Sequence, residues 1–98
     1  MTIRLTPEAF ADLQDARSWY AERGGNLASR FIESFEIVVR NIEGHPEIYP
    51  LVHRQVRRAL LHRFPYCVFY VSEAEGPLVV GCFHARRDPS AWRRRAGA

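Results

Sequence analysis

The sequence predicts an α+β fold in which a helical hairpin packs on a small, mainly antiparallel sheet. Two apolar stripes at helical spacing occupy the first half of the chain, and three β-rich runs joined by short turns occupy the second. A brief apolar segment, residues 3–5, stands ahead of both as a first strand. The element order is therefore β-α-α-β-β-β. A chain of 98 residues suffices for one core and not for two, so residues 1–98 are expected to form a single domain.

Thr6-Pro7-Glu8 is a helix start. Thr serves as N-cap, Pro takes the first helical position where its missing N–H costs nothing, and the acid faces the helix dipole. Ala9, Leu13, Ala16 and Tyr20 then recur on one face, with Phe10 and Trp19 widening the apolar surface. Gly24-Gly25 ends this helix, and Asn26 is placed to cap the next. There Leu27, Phe31, Phe35, Val38 and Ile42 share a face, while Arg30, Glu33, Glu36, Arg40 and Glu43 turn to water. Gly44 and Pro46 terminate the second helix, and two helices joined by so few residues pack antiparallel.

From residue 55 onward the period changes. Residues 55–61, 67–72 and 78–85 are β-rich, separated by Phe64-Pro65 and by Glu73-Ala74-Glu75-Gly76-Pro77, and such short connections imply antiparallel neighbours. The run Leu78-Val79-Val80-Gly81-Cys82-Phe83 is apolar at both parities, as a central strand covered on both faces would be. A turn near residues 74–75 would set Cys67 opposite Cys82 as buried thiols. Asp88-Pro89-Ser90 ends the sheet, and residues 90–95 can form one helical turn.

Hydrophobic residues make up 47% and charged residues 26%, which argues against a disordered chain. No apolar run approaches a membrane span and the N-terminal residues lack a signal-peptide stretch, so a cytoplasmic protein without membrane contact is expected. The cysteines have no metal-ligand spacing around them; neither a metal nor a cofactor is expected. All 14 basic residues are arginine. They concentrate at Arg54, Arg57, Arg58 and Arg63, and at Arg86, Arg87, Arg93, Arg94 and Arg95, so that residues 86–98 form a basic tail. A basic second half suits an acidic partner, either nucleic acid or a protein with an acidic face. A solvated arginine surface is the plainer alternative.

The order Arg57-Arg58-Ala59-Leu60-Leu61-His62-Arg63-Phe64-Pro65-Tyr66, then Val79 to Phe83, then His84-Ala85-Arg86-Arg87-Asp88-Pro89 resembles the RelE/ParE toxin superfamily. So do the opening Leu5-Thr6-Pro7-Glu8-Ala9, the Phe31 and Phe35 pair and the loop Gly44-His45-Pro46-Glu47, and the resemblance extends from residue 3 to about residue 92. It implies a cognate antitoxin that wraps and blocks the toxin and is itself the operator-DNA-binding partner. RelE-like members cleave mRNA on the ribosome; ParE-like members inhibit DNA gyrase.

Cleavage through a 2′-hydroxyl needs a base, an acid and cations for the phosphorane charge. Arg58, His84 and Arg86 are the candidates, and strand parity places His84 and Arg86 on one side of the last strand with Arg87 on the other. Against a nuclease, the loop of residues 44–55 has no lysine, and Trp92 stands where ribosome-dependent relatives have a tyrosine. The His84-Ala85-Arg86 ending is similar to the ParE-like pattern, which implies a gyrase inhibitor with Arg86, Arg87, Trp92 and Arg93 as its toxic surface. Phe10 and Trp19 are the candidate antitoxin contacts. A stand-alone nucleic-acid-binding module using the arginine clusters is the alternative of another class, although no RNP motif, GxxG loop or zinc-finger spacing is present.

Overall fold

Thr6 opens the first helix as its sequence requires, its Oγ1 accepting the Ala9 N–H at 3.0 Å. In the computed structural model, which describes residues 2–95, α1 spans Pro7–Glu22 and α2 Leu27–Gly44. Gly24 and Gly25 carry the turn between them at φ 85° and 65°, a region glycine enters without steric cost. Asn26 precedes α2 but makes no side-chain cap hydrogen bond, contrary to the expectation from its type.

The strands are β1 (Arg4–Leu5), β2 (Leu51–His53), β3 (Val56–Leu60), β4 (Tyr66–Glu73) and β5 (Gly76–His84), arranged β1-β5-β4-β3-β2. Short turns make β2 to β5 antiparallel, whereas β1 pairs in parallel with β5 across the helical hairpin. The edge strand β2 lies inside the segment read from sequence as a loop. It is only three residues long, and its turn carries Arg54 at φ 52° instead of the glycine or asparagine that would mark a hairpin. The final helix α3 is longer than one turn, spanning Pro89–Arg95.

Both faces of the sheet are covered. The helical hairpin lies on one, where Phe31, Ile42, Val68, Tyr70 and Val79 are fully enclosed. Tyr70 spends its hydroxyl on the Pro46 carbonyl (2.7 Å), and buried Ser34 donates to the His62 carbonyl (2.9 Å), which fixes two loops to this core. On the opposite face Val56, Cys67, Phe69, Val80 and Phe83 pack beneath Trp92 of α3.

The register between β4 and β5 shifts by one residue. Tyr70 pairs with Val79 but Phe69 pairs with Gly81, so Val80 is an extra residue, a β-bulge. This overturns the expected facing of the two cysteines. Cys67 pairs with Phe83, and Val68 pairs with Cys82, which puts the thiols on opposite sides of the sheet. Gly81 follows the bulge because the Phe83 ring lies over it; a Cβ there would stand 2.7 Å from that ring.

Candidate functional site

β5 ends at His84, and the chain turns at once: Arg87 N–H donates to the His84 carbonyl (2.9 Å) and Ala85 N–H to the Pro65 carbonyl (2.8 Å). Strand parity therefore does not reach Arg86 and Arg87, and the expectation that they sit on opposite sides of a strand is corrected to a turn that projects both into solvent. His84 is exposed, accepts the Arg86 N–H on Nδ1 (3.1 Å) and sets its ring edge-on to Tyr66 at 5.5 Å.

Asp88 accepts the Ser90 N–H (2.9 Å) ahead of α3, and that bond, with Arg94 and Arg93 nearby, holds its carboxyl below the ordinary value. Trp92 is 6% exposed. Its ring stacks on Phe69 at 4.7 Å and 14°, with His53 edge-on at 6.0 Å, so it anchors α3 and presents no free face outward. Arg93 is exposed, its guanidinium 5.4 Å from the Trp92 ring centre. Of the basic tail expected over 86–98, residues 96–98 lie outside the described residues.

A pair that sequence reading missed completes the attachment. Arg95 grips Asp12 of α1 through two bonds, 2.8 and 3.2 Å, and also donates to the Val80 carbonyl (3.3 Å). Asp12 additionally accepts the Cys82 N–H at 3.2 Å. β1 ends at Leu5 and pairs only with Leu78 and Val79, so these backbone groups lie beyond its ladder, and a carboxylate and a guanidinium from distant segments satisfy them. The hydrogen bond to Asp12 raises the Arg95 pKa further. Spacing could not disclose partners so far apart in the chain.

Of the nuclease candidates, Arg58 stands apart from the other two, which adjoin through the Arg86 N–H on His84 Nδ1. Arg58 pairs with Phe69 and shares its face with Cys67 and Trp92, whereas His84 pairs with Tyr66 and shares the helical-hairpin face. Arg86 sits on the turn beyond. Arg57, on the hairpin side, donates to the Tyr49 carbonyl at 2.7 Å and the Glu47 carbonyl at 3.4 Å, a loop-fixing role. Among the described residues no group of His, Cys, Asp and Glu is arranged to hold a metal, and no helix is long and apolar enough to cross a membrane.

Phe10 and Trp19 are 55% and 48% exposed. Nine positions separate them, about half a turn at 3.6 residues per turn, so they flank the buried stripe of α1 on opposite sides and do not form one patch. The Trp19 ring carries the Arg23 guanidinium over its face at 3.4 Å. Beside it a cleft of about 250 Å³ runs between α1 and the end of β5, lined by Asp12, Asp15, Trp19, Tyr66, His84 and Arg87.

Comparison with known proteins agrees with this architecture. The family described as the ParE toxin of type II toxin–antitoxin system, parDE, matches residues 3–89. A solved structure described as the chromosomal ParDE TA system from P. aeruginosa is similar at 17% identity and a TM-score of 0.63, over 86% of this chain and 95% of that one. No curated protein matches.

Proposed function

As the chain belongs to the ParE toxin family of type II toxin–antitoxin systems, we propose that it arrests growth through DNA gyrase and is neutralised by a cognate antitoxin. The observation that carries this reading is the separation of Arg58 from His84 on opposite faces of the sheet. An acid–base group and a cation so divided cannot act on one phosphodiester. Action by contact needs no such pairing, and the exposed cations Arg86, Arg87 and Arg93 offer a surface for it, with Trp92 as the anchor beneath. Planar guanidinium groups suit an acidic protein face through paired hydrogen bonds.

The antitoxin reading rests on Phe10 and Trp19, apolar side chains left in solvent on both flanks of α1, and on β1, a two-residue strand at the edge of the sheet where an added strand could pair. Operator DNA is then reached only through the antitoxin. Residues 1–98 act as one domain in the cytoplasm.

Induced expression with separate readouts of DNA supercoiling and mRNA integrity tests the target. Loss of supercoiling with intact mRNA is expected, together with loss of growth arrest on Arg86→Ala and Arg87→Ala at unchanged melting temperature. Codon-specific cuts abolished by Arg58→Ala and His84→Ala would favour the ribosome instead.

A further inference from the structure

One end of the molecule collects cations from four separate segments. β4 begins there and β5 finishes there, joined by the Tyr66 and His84 pairing. The β3–β4 connection lies against them, bonded to the turn after β5 by Ala85 N–H to the Pro65 carbonyl. Phe64 of that connection meets Tyr20 at 5.0 Å and Phe31 at 5.5 Å, which brings in the last turn of α1 and the start of α2. Arg23, Arg30, Arg63, Arg86 and Arg87 therefore share this end, with His62 among them. Only Arg23 has an ion-pair partner among the described residues, Glu22 at 3.9 Å; the other nearby acids are Glu33, Asp88 and Asp15, which lines a cleft with His84 and Arg87.

The opposite end is different in kind. Arg4 is spent there on Glu73 (2.8 Å) and Glu75 (3.8 Å), and Glu43 accepts the Ile3 N–H at 2.8 Å. The molecule is thus polarised along the strands, with cations in excess at one end, although Arg40 and Arg54, nearer the other, also have no ion pair among the described residues.

Part of that charge is held in a fixed position. Arg63 sits at φ 71°, where glycine or asparagine would cost less. Buried Ser34 grips the preceding carbonyl, and Arg63 Nε donates to His62 Nε2 at 3.3 Å. Between this loop and Arg30 lies a cleft of about 140 Å³, bordered also by Ile37 and Phe64.

We propose that this end is a docking surface for the phosphate backbone of duplex DNA, with Arg30 and Arg63 meeting phosphates on either side of that cleft and Arg86 and Arg87 reaching two others. This goes beyond the gyrase reading, because it assigns the toxin a direct nucleic-acid contact of its own. Backbone recognition fits a surface of dispersed guanidinium groups, and Trp19, the large apolar ring exposed at this end, already has Arg23 on one face. Nothing here resembles an element shaped to read base edges, so the contact is independent of sequence.

Purified full-length toxin, without gyrase, is titrated against a fluorescent duplex of arbitrary sequence across a salt series. Four phosphate contacts give a slope of log K against log[salt] of about −3.6. Arg30→Ala, and separately Arg63→Gly, which removes the guanidinium while suiting the backbone, should each flatten the slope by about 1. Arg40→Ala, an exposed arginine nearer the other end of α2, should leave it unchanged. Melting temperatures confirm that each variant is folded. The proposal falls if the duplex does not bind at low salt, if Arg30→Ala and Arg63→Gly bind as the parent does, or if polyglutamate displaces the duplex at equal charge, which would mark a surface for acidic protein. Because gyrase is absent, failure here leaves the supercoiling result to stand or fall by itself.

Discussion

Beneath the helical hairpin, the sheet buries Phe31, Tyr70, Ile42 and Val68 among side chains drawn from both long helices and from β3, β4 and β5. The other face buries a smaller set, Val56, Cys67, Phe69, Val80 and Phe83, under a helix of seven residues. The first is locked by many independent contacts. The second depends on one stacked ring, Trp92, and one ion pair, Arg95 with Asp12. A fold can tolerate peeling of the second cover but not of the first, and the proposed toxic surface rides on the cover that is easier to lift.

Phe31→Ala should break this comparison hardest. The ring is fully enclosed and touches Tyr20, Phe64 and Tyr66. Its loss should cost about 3–5 kcal/mol, a large part of a small domain's total, so urea unfolding should begin with much of the protein already unfolded. Trp92→Ala should cost less, about 3 kcal/mol at the low end of the same range, because α3 can detach while the hairpin core persists. Hydrogen exchange should then show protection lost over residues 89–95 and kept in α2. Equal losses in both variants would show the two faces to be one cooperative unit.

Asp12→Asn sharpens the comparison further. The amide oxygen can still accept the Cys82 N–H, so the change mainly removes the charge from Arg95. With both side chains partly exposed, the expected loss is about 1 kcal/mol, read by urea titration. A loss equal to that of Trp92→Ala would mean that the ion pair, and not the stacked ring, is the principal attachment.

The smallest effect is a titration. Burial, with the Asp12 carboxylate beside it, pushes the Cys82 thiol from 9.0 up to about 12. The unfolded chain ionises this thiol at the lower value, so unfolding releases a proton between the two and stability falls as pH rises through that window. Cys67, Tyr20, Tyr66 and Tyr70 are raised by burial and act in the same direction. Cys82→Ala should therefore lose less stability than the parent between pH 9.0 and pH 10.0. An identical decline would show that Cys67, raised by burial from the same 9.0, governs this window.

Local signals were legible because local geometry makes them. Thr6-Pro7 announced α1, the stripe from Phe31 to Ile42 announced α2, and the two-sided apolar run of β5 announced a covered central strand. What stayed hidden were relations between distant segments: the parallel β1, the Asp12 and Arg95 pair, and the gathering of Arg30 and Arg63 beside the end of β5. The short edge strand β2 escaped because neither its length nor its turn residues depart from those of a loop. Phe10 and Trp19 were recognised as unusual apolar exposures, but only helical phase shows that they lie on opposite flanks.

Val80, the extra residue of β5, decides which side of the sheet each position after it serves. Were Val80 taken into a regular ladder opposite Phe69 instead, Cys82 would pair with Cys67 and His84 would turn to the face that Arg58 occupies. In register alone, a one-residue slip separates the two arrangements. The fold thus stores, in one backbone unit, the choice of which side chains share a face.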